Sequence, residues 1–166
     1  MCIHIILTRI KDNSMWSKTY SQKVTGIRVE DLWQVWADIN HWHLWHDDIE
    51  YAKLDGAFTT GSKFLLKPKH GPKVTIELLK VEPNQLFIDL TRFPLAKMYG
   101  IHEFIADGDQ LEIRTTMRVT GPLSFIWRKL VAEKIIADEP KQTHGLITQA
   151  TKLAQGITET KTSANN

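Results

Sequence analysis

The sequence predicts an α+β domain: a curved, seven-stranded antiparallel sheet around one long C-terminal helix, with two short helices after the first strand. Two observations lead there. Between residues 49 and 120 the apolar residues fall in six short segments separated by turn formers, whereas from Leu123 onward they recur at helical intervals (127, 130, 131, then 143, 146, 147, 150, 153 and 154). The cleanest segment, 110–120, sets Leu111, Ile113, Thr115, Met117 and Val119 against Glu112, Arg114, Thr116 and Arg118, a strand with one buried and one wet face. A bent sheet covered by a single long helix leaves a gap where the two diverge, and an apolar cavity is expected there.

Taken in order, 18–27 reads as a first strand, rich in β-branched and aromatic residues. From Val29 to Ile39 the period becomes helical, with Glu30 and Asp31 in the first turn where the helix dipole favours them. Asn40 ends that helix, and a second short segment, His41 to Asp48, carries Trp42 and Trp45 on one side of a turn. Strands follow at 49–55, 62–67, 73–82, 86–92, 96–105 and 110–120, the last two joined through Asp107-Gly108 or Gly108-Asp109, both of which suit a two-residue loop. Gly121-Pro122 stops the last strand, and Pro140 is expected to kink or split the long helix.

The 166 residues suffice for one core and are too few for two ordinary domains. We read 16–157 as that domain, with a loose extension over 1–15 and a polar tail over 158–166. With 21 basic and 19 acidic residues the chain is too balanced to argue for nucleic acid or an anionic membrane. No apolar run approaches the roughly 20 residues of a membrane-spanning helix, so no integral membrane association is expected. The single cysteine, Cys2, excludes an internal disulfide, and the apolar start lacks a basic region and a cleavage site, so a cytoplasmic location is expected. Tryptophan stands out: four of the six lie within Trp33–Trp45. They form either a wall for stacking a ligand or, the better reading, the packing of the first helix on the sheet.

Val29 to Trp33 open the first helix, Trp36 to Asp38 end it, and Trp45 follows a few residues on. Later come Gly56 and Gly61 before Phe64, Glu82-Pro83 between strands, the Asp107-Gly108 turn, and Gly121-Pro122 before the last helix. In this order the landmarks resemble the SRPBCC superfamily, the helix-grip fold of START lipid-transfer domains, polyketide cyclases and plant pathogenesis-related allergens. The likeness spans about residues 18–155 and implies a fold with an internal cavity; it carries over no catalytic residue.

Hairpin parity then assigns faces. Across a two-residue loop paired positions sum to an odd number, so even positions on 96–105 share a face with odd positions on 110–120. The inward set is Met98, Gly100, His102 and Phe104 beside Leu111, Ile113, Thr115 and Met117, with Gly100 leaving room for a cavity. His102 is either a polar anchor or acid–base group in that cavity, or an inert histidine bonded to Thr115 or to backbone. Apolar alternation places Phe64 and Leu66, then Val74, Ile76 and Leu78, then Leu86, Ile88 and Leu90 inward. Arg92 continues the last parity, either to meet a ligand carboxylate at the mouth or to end the strand in solvent. On the long helix Trp127, Val131, Ile135, Thr143, Leu146, Ile147 and Ala150 are the candidate lid.

His41, His43 and His46, with Asp47 and Asp48, are reminiscent of a cupin metal site, but on a helix positions 41 and 43 point about 200° apart. The expectation is a solvated turn, no metal and no cofactor, since no phosphate loop, nucleophile elbow or Cys/His pairing is present either. The functions in view are therefore binding of a small hydrophobic or aromatic molecule, a cyclase/dehydratase-like enzyme using His102, and a partner-binding module.

Overall fold

The computed structural model describes residues 15–156; the expected tail over 158–166 and all but the last residue of the expected extension lie outside it. Seven strands form one sheet: β1 Trp16–Val24, β2 Ile49–Leu54, β3 Lys63–Pro68, β4 Val74–Glu82, β5 Leu86–Phe93, β6 Ala96–Asp107 and β7 Gln110–Thr120. Every pairing is antiparallel and the spatial order is β1-β7-β6-β5-β4-β3-β2. Strands β2 to β7 follow the chain as hairpins. The segment between β1 and β2 therefore has to cross from one sheet edge to the other, and it does so through α1 (Val29–Ala37) and a 3-10 turn (Ile39–Leu44).

That crossing is held by specific contacts. The Arg28 guanidinium donates twice to Asp31, at 3.0 and 2.7 Å, where the acidic first turn of α1 is favoured. Trp42 Nε1 donates to the Trp36 carbonyl at 2.9 Å, folding the 3-10 turn back on α1. Asn40 does not end the helix as expected, since α1 stops at Ala37 and Asn40 lies in the 3-10 turn; instead its amide donates to the Leu54 carbonyl at 3.3 Å and its Oδ1 accepts from the Leu54 N–H at 2.9 Å. One side chain thereby satisfies both backbone groups of a residue on the edge strand β2.

The chain ends in α2 (Ser124–Trp127), a π-helical turn (Arg128–Ala132) and α3 (Glu133–Ala154). Pro140 does not split the helix: it sits exposed inside α3, which runs unbroken through it, and the irregular turn lies upstream at Arg128–Ala132. The hairpin between β6 and β7 pairs Asp107 with Gln110, so the loop is Gly108-Asp109, and Gly108 supplies the positive φ such a loop needs. Among the described residues no helix is long and apolar enough to cross a membrane.

Candidate functional site

Between the concave face of the sheet and the C-terminal helix lies a cavity of about 530 Å³. Three regions with exposed residues border its mouth: His46 and Asp48 after the 3-10 turn, the β3–β4 loop from Pro68 to Pro72, and the helix at Leu130, Lys134 and Asp138. Its walls are aromatic and aliphatic, and its interior is not uniformly so.

Strands β6 and β7 present the faces that parity predicts. Met98, His102, Thr115 and Met117 line the cavity, and the register pairs His102 with Thr115 and Gly100 with Met117. Phe64, Leu66, Val74 and Ile76 line it from β3 and β4. Leu78, Phe104 and Ile113 lie in the buried core and take no part in the lining. Trp36, which does line the cavity, stacks on Phe104 at 4.0 Å and closes that end.

Strand β5 is the correction. Phe87, Asp89, Thr91 and Phe93 line the cavity; Leu86, Ile88, Leu90 and Arg92 do not. Arg92 is ion-paired with Glu77 instead of waiting for a ligand carboxylate. The apolar alternation Leu-Ile-Leu misleads because the more polar side of this strand is the inner one. The deciding signal was the next turn: Phe93 pairs with Ala96 across Pro94-Leu95, so odd positions on β5 share a face with even positions on β6.

On the helix, Trp127, Val131, Ile135, Thr143 and Leu146 line the cavity as expected from their spacing, while Ile147 packs into the core and Ala150 is buried outside the lining. Ile147 follows Leu146 by one residue, about 100° round the helix. Glu139 was missed, although it stands four residues from both Ile135 and Thr143 on the same stripe. A charged residue in an apolar stripe was the available signal.

These positions converge on a polar cluster. His102 Nε2 lies 3.1 Å from Asp89 Oδ2, and its Nδ1 lies 3.3 Å from Thr115 Oγ1. The imidazole stacks on Phe87 at 4.3 Å and meets the edge of Trp36 at 5.7 Å, so its plane is fixed from two sides. Gly100, expected to leave room for a ligand, leaves room for this pair. A Cβ there would sit 2.6 Å from Asp89 Oδ2 and 2.8 Å from His102 Nε2.

Glu139 completes the cluster from the helix, only 5 % exposed. Burial pushes its carboxyl above the ordinary range, opposed by the His102 charge and the Thr115 hydroxyl and reinforced by Asp89. Because the folded pKa exceeds the unfolded one, the folded chain holds the extra proton between the two values, and stability falls as pH rises through that window. Glu139→Gln is expected to remove this dependence: relative to the parent its stability is lowest near pH ~4 and grows toward pH ~8. Urea unfolding at both ends checks it; a difference unchanged with pH would contradict the burial cost.

At the mouth, His46 is half-buried against the cavity rather than solvated with His41 and His43. Burial pulls its pKa down, against Asp48, Gln142 and Asp47, and its Nδ1 has no hydrogen-bond partner. His41 is bonded to Asp38 at 2.8 Å. Among the described residues no group of three or more His, Cys, Asp or Glu is placed to hold a metal ion. Trp36, Trp42 and Trp45 serve both readings offered for the tryptophans, since they pack with the core and face the cavity.

Comparison with solved structures finds the same architecture. A Streptomyces aromatase/cyclase, Zhui, superposes with a TM-score of 0.68 at 11% identity, covering 84% of this chain and 96% of that one. The di-domain aromatase/cyclase StfQ of steffimycin biosynthesis gives 0.71 at 10% identity, with 86% of this chain and 53% of that longer protein covered. Norcoclaurine synthase from Thalictrum flavum, in complex with dopamine and hydroxybenzaldehyde, gives 0.59 at 15% identity, covering 96% and 98%. At such identities the likeness is one of fold. A search of curated proteins found no significant match. The sequence profile described as "Polyketide cyclase / dehydrase and lipid transport" matches residues 15–145. With its helix-grip sheet, its C-terminal helix and the cavity between them, the chain belongs to the polyketide cyclase/dehydrase and lipid transport family of the SRPBCC superfamily.

Proposed function

We propose that the protein binds a small, largely apolar molecule, aromatic by preference, in the cavity between sheet and helix. The observation that carries this reading is the combination of about 530 Å³ of space, aromatic walls (Trp36, Trp42, Phe64, Phe87) and a few polar groups gathered at one place, Asp89, His102, Thr115 and Glu139. Apolar walls supply affinity and the polar cluster fixes orientation. The candidate ligand-binding residues are those that line the cavity, His102 among them.

Mass spectrometry of an organic extract, from protein purified without added ligand, is the first test. A hydrophobic molecule at near-stoichiometric amount is the expected result. A blank extract, together with no saturable binding of a neutral aromatic probe such as 1-naphthalenemethanol, would overturn the reading.

A second reading, an acid–base enzyme of the cyclase/dehydratase kind, is favoured by one observation: His102 and Glu139 face the same cavity on either side of Thr115. In a dehydration His102 would take a proton from carbon α to a carbonyl. Glu139 would protonate the departing β-hydroxyl, the C–O bond would break as the C=C bond forms, and water would leave. Proton transfer between the two groups would restore the start. On this reading a β-hydroxy ketone is turned over by the parent, and His102→Gln abolishes turnover while the protein still folds; turnover unchanged in the variant would remove His102 as the base.

A further inference from the structure

The cavity is charged oppositely to the chain that encloses it. The whole sequence carries a formal charge of +2, yet four carboxyl residues line the cavity, Asp48, Asp89, Asp138 and Glu139, against one lysine, Lys134, and no arginine. Asp48, Lys134 and Asp138 are exposed at the mouth, where water screens them. The two inner carboxyls are different. Asp89 is hydrogen-bonded to His102, and Glu139 is buried with that same imidazole as its cationic influence. One imidazole can balance one carboxylate at most. With His102 neutral, the ring carries one N–H for its two partners, Asp89 at Nε2 and Thr115 at Nδ1, and the Asp89 charge stays uncancelled. With His102 protonated, Asp89 is balanced and Glu139 is the buried carboxyl left over.

We propose that the cavity selects a cationic amphiphile, a small aromatic or alkyl body bearing one protonated amine that docks between Asp89 and Glu139. The proposal rests on the ligand-binding reading above and narrows it. A buried carboxyl without a counter-charge is costly, and a ligand ammonium supplies both the charge and the hydrogen-bond donors it lacks. The aromatic walls add to the preference, because ring faces attract cations. A ligand carboxylate entering the same space meets like charge away from water and no arginine or lysine at depth, which disfavours fatty acids and other anions.

The test uses three probes of nearly equal size and shape: 1-naphthylmethylamine, 1-naphthalenemethanol and naphthalene-1-carboxylate. Each is titrated into the full chain near neutral pH, with quenching of tryptophan fluorescence as the signal. The amine is expected to bind about tenfold tighter than the alcohol or better, a difference of about 1.4 kcal/mol, with the carboxylate weakest. Glu139→Gln and Asp89→Asn, checked for folding by thermal unfolding, are expected to bring the amine-to-alcohol ratio toward one. If the alcohol binds and the amine is no tighter in the parent protein, charge selection is overturned and the ligand-binding reading stands. If none of the three binds, charge selection is overturned, and a blank organic extract beside that result overturns the ligand-binding reading as well. The ratio in the parent decides the matter even where a variant does not fold.

Discussion

Phe87→Ala is expected to cost about 3–5 kcal/mol of stability, the range for removing a buried aromatic side chain. Phe87 is only 1% exposed and packs edge-on against Trp33, Trp36 and Phe58 at 6.4, 5.2 and 5.3 Å while stacking on His102. Its removal therefore opens the joint between α1 and the sheet and frees the imidazole that Asp89 and Thr115 hold. Two readouts follow. Urea unfolding measures the stability loss, and NMR of the His102 ring measures whether its orientation is lost. A loss under about 1.5 kcal/mol with an unchanged ring environment would show that the aromatic cluster repacks around the gap and does not position His102.

Gly145→Ala is expected to destabilise by about 2 kcal/mol, against the usual direction of such a change. In an open helix, replacing glycine by alanine gains about 1 kcal/mol, because glycine has the most backbone freedom to lose. Gly145 lies inside α3, and a Cβ there would press into the carbonyl oxygen of Trp45. That neighbour is backbone, so relief requires the helix and the 3-10 region to move apart, and overpacking of this kind costs about 1–3 kcal/mol. Since Trp45 and His46 border the cavity, the same displacement is expected to weaken ligand binding. Thermal unfolding decides the sign. A variant more stable than the parent would mean that the helix can lift from Trp45 without penalty.

Much of the fold was legible in the chain. Element order followed from periods of two and 3.6 and from the turn formers between them, and hairpin parity across Gly108-Asp109 placed Met98, His102, Thr115 and Met117 on one face. The same rule, applied across Pro94-Leu95, would have turned β5 to its true face; the hydrophobic alternation of Leu86, Ile88 and Leu90 pointed the other way. Alternation identifies the inner face only where that face is the more apolar one. At a site it need not be, because Asp89 and Thr91 occupy inner positions for what they can bond.

What the sequence by itself determined is the kind and order of the elements and the relative facing of strands joined by short turns, since both depend on interactions between residues close along the chain. Only the tertiary structure decided where the cavity stops, that Gly100 makes way for Asp89 and His102, that Gly145 lets the helix reach Trp45, and that Glu139 meets a cluster from three other positions on the sheet. Asp89, His102 and Glu139 sit on separate elements, and no local pattern encodes the distances between them. Those distances come from the curvature of the sheet and the docking of the helix, which the packing of the whole core sets.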